Sequence, residues 1–257
     1  MASNGDSPLL SRLRLWTSRP RPARGPAPAY TREQIADTAI AIADLDGLDA
    51  VTMRRVATEL GTGAMSLYRY VENKEALLEL VADRMYARHE WPELTGRWRQ
   101  DLREFARAHR RALLERPWLK HVWNGRAVGP NIFRHFERAV SAMDGLGLGI
   151  EEMVEAVLLV LTWVDGYTRQ ELEVLTYVCS PNEEEIGREL NEYVQAVVHN
   201  GEHPYLARFV DEALSAQSSQ RSSQFPRFAA DAWFNRALDR VLAGIEATLP
   251  AETGTGK

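Results

Sequence analysis

Small residues follow a three-residue turn that contains two glycines, and this arrangement favours recognition of DNA. The turn is Gly61-Thr62-Gly63, and a second helical segment starts directly after it. Two short helices joined by a turn of this kind form the DNA-reading helix-turn-helix. The second helix exposes Ala64, Met65 and Ser66 at its start, and small side chains there allow it to enter a major groove about 12 Å wide. The sequence therefore predicts a helix-turn-helix over residues 52–70.

Side chains able to contact nucleic acid lie on both sides of this turn. Arg54, in the first helix, can donate two hydrogen bonds to O6 and N7 of guanine, worth about 1–3 kcal/mol of discrimination. Tyr68 and Lys74 can donate to phosphates, which positions a protein on the duplex without reading its sequence. Arg69 and Tyr70 complete the exposed face of the second helix. Both kinds of contact that a DNA-reading module needs are therefore present.

The segments that position these residues are helical along almost the whole chain. A capping box runs from Thr31 to Gln34 and predicts the start of the first ordered helix, which Gly47 ends. Thr52 is the expected N-cap of the second helix. No alternating run of strand length occurs, so the predicted fold is all-α. Further helices are predicted over residues 74–88, 98–116, 131–146, 150–175, 183–198, 204–214 and 228–249.

Charge is concentrated at the start of the chain. The formal net charge of the 257 residues is −5, which excludes a protein that coats nucleic acid nonspecifically. Residues 1–30, in contrast, contain five arginines and one acidic residue, Asp6, among prolines, serines and glycines. This composition predicts a disordered basic arm, which is either a solvated tail or a segment that follows the DNA backbone.

The stretch TMRRVATELGTGAMSLYRYVENKEALL, Thr52 to Leu78, closely resembles the DNA-binding domain of TetR-family transcriptional repressors. The stretch FNRALDRVLAGIE, Phe234 to Glu246, resembles the last helix of the tetracycline-repressor-like ligand domain. The resemblance implies an N-terminal three-helix helix-turn-helix domain and a larger C-terminal helical domain for ligand binding and dimerisation. The expected division is an arm at 1–30, a DNA-binding domain at 31–78, a ligand-binding domain at 79–250 and a disordered tail at 251–257.

The same resemblance implies which residues contact DNA. The first helix of the motif contacts the DNA backbone and bases through Thr52, Met53 and Arg54. The second helix faces bases with Ala64, Met65 and Ser66, while phosphates are held by Tyr68, Tyr70 and Lys74. Because Ala64 and Met65 offer no hydrogen bonds, direct readout relies on Arg54, Ser66, Arg69 and contacts to thymine methyl groups.

Aromatic residues of the larger domain are candidates for a ligand pocket. Taken one by one, they are equally compatible with an ordinary core. Family resemblance implies that a small hydrophobic or aromatic effector binds among the helices that carry them. The candidates are Trp98, Phe105, His109, Trp118, His121, Trp123, Phe133, Trp163 and Tyr167. A few polar groups would orient the effector, namely His109, His121, Asp165 and Arg169.

Dimerisation is expected because residues 150–175 and 228–249 carry more apolar surface than one neighbouring helix covers. Pairing them across a two-fold axis gives a four-helix interface. The two reading heads would then address half-sites about one helical turn apart, so the expected double-stranded operator is a pseudo-palindrome. Effector binding is expected to move the helix over residues 74–88 and to release the repressor from this operator.

Other functional classes find little support in the sequence. A single cysteine, Cys179, excludes an internal disulfide, and no apolar run has the length of a membrane span, so a soluble cytoplasmic protein is expected. Catalytic and nucleotide-binding motifs are absent, which argues against an enzyme and against a cofactor. The alternative that remains is a helical ligand-binding adaptor without DNA-binding activity.

A metal site is not predicted. His199 and His203 have the spacing of helical metal ligands, but Gly201 and Pro204 oppose a helix there, and zinc needs at least one further ligand. In addition, Trp123 aligns with the position at which the tetracycline repressor has a metal-contacting histidine. An effector that binds through a metal is therefore not expected.

Overall fold

Helices make up the regular secondary structure of the chain as far as the structure describes it, and no strand occurs there. The computed structural model describes residues 7–17, 30–123, 125, 127–178, 182–217 and 231–250. Within these residues the helices are α1 (Pro8–Thr17), α2 (Arg32–Asp46), α3 (Met53–Glu59), α4 (Ala64–Leu67), α5 (Lys74–Arg88), α6 (Trp98–Glu115), α7 (Pro130–Ser141), α8 (Ile150–Val178), α9 (Glu183–Val198), α10 (Pro204–Gln217) and α11 (Asp231–Glu246). The all-α prediction is confirmed.

Local signals set the ends of the helices near the turn. Thr31 accepts a hydrogen bond from the backbone N–H of Gln34, whose side chain accepts one from the N–H of Thr31, so the capping box forms as predicted. Thr52 accepts from the N–H of Arg55 and starts α3. Gly61 has φ +70°, a left-handed conformation that costs glycine little. The predicted helix over residues 64–70 is shorter, because only Ala64–Leu67 is α-helical and a turn follows.

The expectation of a disordered arm over residues 1–30 is wrong for residues 8–17, which form α1 and pack on α5. Pro8 occupies the first turn, where its missing N–H is no loss. Leu15 is buried in the core, Ser11 accepts a hydrogen bond from the side chain of Asn73, and Trp16 donates one to Glu79. The prolines that dominated the composition lie mostly in residues 18–29, which are outside the described residues.

Two buried carboxylates on α5 hold the segment that leads into α7. Glu79 accepts from the backbone N–H of Val128 at 2.7 Å, and burial raises the pKa of this carboxyl. Asp83, one turn further along, accepts from the backbone N–H and the side chain of Asn131, both at 2.7 Å. Gly129 lies against Asp83 so closely that a Cβ would stand 2.2 Å from a carboxylate oxygen. The start of α7 is therefore fixed to α5.

Contacts divide the chain into two compact units. The first comprises Met1–Asp165 and Ile245–Lys257, and the second comprises Gly166–Gly244. The predicted domain boundary after residue 78 falls inside α5, which continues without interruption to Arg88. In the second unit, the ring of Tyr167 packs edge-to-face on that of Phe234, with centroids 5.4 Å apart. The division into DNA-binding and ligand-binding domains at residue 78 stays a prediction.

We expect the ion pairs of Asp37 to add a pH-dependent component to stability. Asp37 accepts from Arg84 at 2.7 and 3.0 Å and pairs with Arg88 at 2.9 Å, and the hydrogen bond from Arg84 is the main reason its pKa lies below the ordinary value. The stabilisation is complete above about pH 4, the range of an unfolded aspartate, and is lost as the pH falls through the lower folded value. Asp37→Asn should cost about 0.5–1 kcal/mol at pH 7 and less at pH 3. Urea unfolding at both pH values measures this, and an equal cost at both would contradict it.

Candidate DNA interface and effector site

The exposed side chains of α3 and α4 form one surface around the turn. The contact between α3 and α4 is made by buried side chains, Val56 and Ala57 on α3 and Leu67 on α4. This packing fixes the angle between the two helices. Met65 is 80% exposed, and Tyr68 also points to solvent. Met65 and Tyr68, two of the predicted DNA contacts, are therefore held on a short, well-packed hairpin with their side chains exposed.

Two adjacent arginines on α3 have different environments. Arg55 pairs with Asp46 at 3.2 Å and with Glu59 at 2.9 Å, and the hydrogen bond that it donates to Glu59 is the main cause that raises its pKa. Arg54 is exposed and has no ion pair or side-chain hydrogen bond within the described part of the chain. Arg55 thus stabilises the helix, whereas the guanidinium of Arg54 remains available to a base or a phosphate.

Three of the predicted DNA contacts are restricted by the fold. The side chain of Met53 is buried in the core, so a DNA contact by this residue would have to come from its backbone, and the contact itself stays a prediction. The hydroxyl of Thr52 is occupied in capping α3. Tyr70 is half-buried, and its hydroxyl accepts from the backbone N–H of Tyr30 at 3.4 Å. A hydroxyl that accepts one bond can still donate another to a phosphate.

The N-terminus of α5 lies beside this surface. Lys74 is its first residue, and Asn73 caps it by accepting from the N–H of Ala76 at 2.9 Å. Asn73 also donates to Ser11 of α1 at 2.9 Å, so the N-terminal helix contacts the start of α5 beside Lys74. Sequence reasoning missed this contact, since it links residues 62 positions apart.

Seven rings from α5, α6, α7 and the segments between them form what we call the aromatic cluster. The ring of His135 lies 3.7 Å from that of Trp91 and 4.2 Å from that of Phe105, and the ring of Tyr86 lies 4.2 Å from that of Trp123, all as centroid distances. The members are Tyr86, His89, Trp91, Phe105, His109, Trp123 and His135. All of them belong to the first compact unit.

Several polar atoms of the cluster have partners in the protein. Nε2 of His109 lies 2.8 Å from Oδ1 of Asp165, and Nε1 of Trp123 donates to the backbone carbonyl of Ala82 at 3.3 Å. Burial lowers the pKa of His135 to about 2, with a further contribution from His109, so this imidazole is neutral at physiological pH. Burial likewise raises the pKa of Tyr86 far above its ordinary value. The cluster therefore combines apolar ring surface with the contact between His109 and Asp165.

The structure brings together only three of the nine predicted ligand-binding residues, namely Phe105, His109 and Trp123. Two of the predicted residues lie away from the cluster: Phe133 is 61% exposed, and Trp118 donates to Asp44 at 2.9 Å. Their part in ligand binding stays a prediction. The others lie outside the cluster, with Trp98 and Trp163 half-buried, His121 exposed and Tyr167 in the second unit. Sequence reasoning missed four members, which are Tyr86, His89, Trp91 and His135.

The histidine pair considered for a metal has other contacts. Nε2 of His199 lies 3.2 Å from Oδ1 of Asp211, and its Nδ1 lies 3.1 Å from the carbonyl oxygen of Gln195. Residues 199–203 form a turn between α9 and α10, so the pair does not share a helix, as Gly201 and Pro204 predicted. Among the residues described, no helix combines the length and apolar character that a membrane crossing requires.

Comparisons with known proteins place the chain in a family. The family described as bacterial regulatory proteins, tetR family, matches residues 35–81, and the tetracyclin repressor-like C-terminal domain matches residues 92–249. The transcriptional repressor DrrR1 of Streptomyces coeruleorubidus is 32% identical over 248 residues, which cover 93% of this chain and 86% of that protein.

Solved structures agree with this match. The Streptomyces coelicolor TetR family protein ActR in complex with actinorhodin superposes with a TM-score of 0.69 at 29% identity, covering 86% of this chain and 97% of that one. ActR in complex with (S)-DNPA gives a TM-score of 0.66 at 30% identity, covering 86% and 99%. These relatives are transcriptional regulators and not enzymes. This chain belongs to the TetR family of ligand-responsive, DNA-binding transcriptional repressors.

Proposed function

We propose that two copies of this chain bind a pseudo-palindromic operator and release it when a small aromatic effector enters the aromatic cluster. Bases are read by Arg54, Ser66 and Arg69, and phosphates are held by Tyr68, Tyr70 and Lys74. Ala64 and Met65 contribute apolar contact, which suits thymine methyl groups. The site of action is the compartment that holds the chromosome, the bacterial cytoplasm.

The observation that carries the mechanism is the continuity of α5. This 15-residue helix begins with Lys74 beside the reading surface and includes Tyr86, whose ring stacks on Trp123 in the cluster. A helix of that length spans about 22 Å. Because Glu79 and Asp83 bind the start of α7 through buried carboxylates, α5 moves together with α7 when the cluster opens. Displacement of the helix then changes the separation of the two reading heads.

The effector class follows from the cluster and from the relatives. ActR has been crystallised with actinorhodin and with (S)-DNPA. Seven neighbouring rings in this chain offer stacking surface to an aromatic molecule, since offset-stacked aromatic pairs attract beyond their simple area burial. A small hydrophobic or aromatic effector therefore fits the site better than a charged or metal-bound one.

The dimer interface we propose lies on α8. Leu158 and Leu159 are about half exposed on this helix, although they lie in an apolar stretch. The chain itself buries most of the apolar stripe on α11, so the predicted contribution of this helix to the interface would have to come from its other faces. The buried members are Phe234, Leu238, Leu242 and Ile245. Pairing of α8 with its copy would cover the exposed leucines and place the two reading heads on one face of the duplex.

Mutual exclusion of operator and effector tests this function. We expect actinorhodin, the first candidate to try, to weaken operator binding by about 5- to 150-fold, and the operator to weaken actinorhodin binding by the same factor. Fluorescence anisotropy of labelled operator, measured with and without ligand, gives the first factor, and calorimetry with and without operator gives the second. Simultaneous binding without mutual weakening would contradict the proposal. A folded chain that binds ligand but no operator would also contradict it and would favour the adaptor without DNA-binding activity.

The arginines of residues 18–29 are expected to add affinity for the DNA backbone. Arg12 and Arg14 lie near Glu79 and Glu72 of the protein itself, at 4.0 and 3.9 Å, so these two arginines are left unchanged in the test. Replacing the other three arginines of the arm by glutamine should weaken operator binding and reduce the slope of log K against log[salt], by up to about 0.9 for each phosphate that is no longer neutralised. The substituted residues are Arg19, Arg21 and Arg24. An unchanged slope between about 50 and 200 mM salt would refute the role.

A further inference from the structure

Contacts between α1 and α5 meet at one buried carboxylate. Arg12 and Trp16 lie one turn apart on α1, and both side chains lie against Glu79. Nε1 of Trp16 donates to Oε1 of Glu79 at 3.2 Å, and Nε of Arg12 lies 4.0 Å from Oε2. Leu15 of the same helix is buried in the core, and Glu79 is only 2% exposed. Helix α1 therefore covers this carboxylate and keeps bulk water away from it.

The same carboxylate oxygen holds the segment that leads into α7. Oε1 of Glu79 accepts from the backbone N–H of Val128 at 2.7 Å, in addition to the indole N–H of Trp16. Burial raises the pKa of Glu79, and the hydrogen bonds from Val128 and Trp16 act in the opposite direction. Each of the two donors therefore favours the ionised carboxylate, and α1 and residue 128 depend on the same charged group.

This shared acceptor couples the two contacts so that each strengthens the other. A hydrogen bond to a carboxylate is stronger where water is excluded, because the local dielectric constant is low and no solvent competes for the acceptor. With α1 in place, Trp16 fixes the orientation of the Glu79 carboxylate, and the helix excludes water from it. When α1 leaves, water reaches Oε1 and competes with the N–H of Val128. By reciprocity, loss of the Val128 contact weakens the docking of α1.

We propose that α1 is a strap that stabilises the operator-binding arrangement of α5 and α7, with Glu79 as the positioning residue that links them. This inference rests on the proposed function, in which α5 and α7 move together and the ligand-free arrangement binds the operator. The arrangement in the structure is the closed one, because the ring centroids of His135 and Trp91 are 3.7 Å apart and leave no space for a ligand between them. The strap precedes residue 35, where the match to the family's DNA-binding domain begins.

Three substitutions separate the shared hydrogen bond from other contributions of the strap. Trp16→Phe keeps a ring that covers Glu79 and removes the N–H that Oε1 accepts. Glu79→Gln keeps an oxygen that can accept from both partners but removes the charge, and charge-assisted hydrogen bonds are about twice as strong as neutral ones. Arg14→Gln is the matched control on α1, because Arg14 lies at the exposed side chain of Glu72, 3.9 Å away.

Hydrogen–deuterium exchange of the full chain tests the coupling without any ligand. Mass spectrometry follows the amide of Val128 and, as an internal reference, the buried stretch of α8 at residues 157–164. We expect Trp16→Phe to raise exchange at Val128 about fivefold or more, the lower end of the usual coupling between two sites. In the Glu79→Gln background, the same substitution should raise it less than about twofold, because the two changes act on one contact. Arg14→Gln should change it less than about twofold, as expected for an exposed ion pair.

Circular dichroism confirms that each variant is folded, and the exchange data then decide the outcome. The proposal is overturned if Trp16→Phe leaves exchange at Val128 unchanged. It is also overturned if exchange in α8 rises by the same factor, because that result reports a global loss of stability. An undiminished effect of Trp16→Phe in the Glu79→Gln background, or an equal effect of Arg14→Gln, would contradict the positioning role of Glu79.

Operator DNA distinguishes failure of this inference from failure of the proposed function. With the operator recovered by selection bound, exchange at Val128 should fall about fivefold or more, because the duplex binds the arrangement that the strap stabilises. If bound operator leaves this exchange unchanged, the strap does not act on the operator-binding arrangement and the inference fails. If operator protects Val128 but actinorhodin does not release the duplex, the strap stands and the effector part of the proposed function fails.

Discussion

The double variant Arg54→Ala, Tyr68→Ala should lose specific operator binding while it keeps its fold and its dimer. Arg54 has no ion pair within the described chain, and Tyr68 is 45% exposed, so neither contributes much to stability. A bidentate contact from Arg54 to guanine is worth about 1–3 kcal/mol in each half-site. With two half-sites, operator affinity should fall about 30-fold or more, before the loss of the phosphate contact of Tyr68 is counted. Anisotropy with labelled operator measures this loss.

Arg55→Ala provides the matched control for this experiment. It removes the same charge one residue further along α3, but from a side chain that pairs with Asp46 and Glu59. We expect at most a small loss of stability, because exposed ion pairs contribute little, and operator affinity within a few-fold of the unaltered chain. Equal losses of operator affinity in Arg54→Ala and Arg55→Ala would mean that only the total charge of α3 matters, which contradicts base reading by Arg54.

Phe105→Ala should be the most destabilising substitution in the aromatic cluster. Its ring is buried against those of Trp91 and His135, with centroids 5.2 and 4.2 Å away. Loss of a buried phenylalanine ring costs about 3–5 kcal/mol, since apolar burial is lost and a cavity remains. Urea unfolding followed by circular dichroism measures the change, and ligand affinity should fall together with stability.

Phe133→Ala is the control for Phe105→Ala. Phe133 lies on α7 close in sequence to His135, but it is 61% exposed and has no ring contact with the cluster in the described chain. We expect its free energy of unfolding to change by no more than about 0.5 kcal/mol. If Phe133→Ala were as costly as Phe105→Ala, the packing described for the cluster would be incorrect.

Helix ends near the reading surface were predictable because their signals are local. The capping box at Thr31, the cap at Thr52 and the left-handed Gly61 each depend on residues within four positions of one another. Helix α1 was not predicted because the amino-acid composition of residues 1–30 was considered as a whole, and the prolines of residues 18–29 dominate it. Leu15 and Ser11 lie four residues apart on one face of that helix, and this spacing is the signal that indicates it.

The aromatic cluster was only partly predictable because its members come from distant parts of the chain. A list of aromatic residues does not distinguish the buried Phe105 from the exposed Phe133, since burial depends on how α6 and α7 pack. Helical spacing holds some of the missing information. Tyr86 follows Leu78 and Ala82 at intervals of four on α5, and His135 precedes the buried Ala139 by four on α7. Trp91 lies outside any helix, and no periodic signal marks it.

Selection of bound fragments from a random pool of double-stranded DNA tests the central claim most directly. The full chain is used at near-physiological salt, with Arg54→Ala and Arg55→Ala in parallel. We predict that the unaltered chain and Arg55→Ala recover the same pseudo-palindrome, with half-sites about one helical turn apart, and that Arg54→Ala does not recover it. Failure of a folded, dimeric chain to enrich any motif would contradict sequence-specific operator binding by this surface.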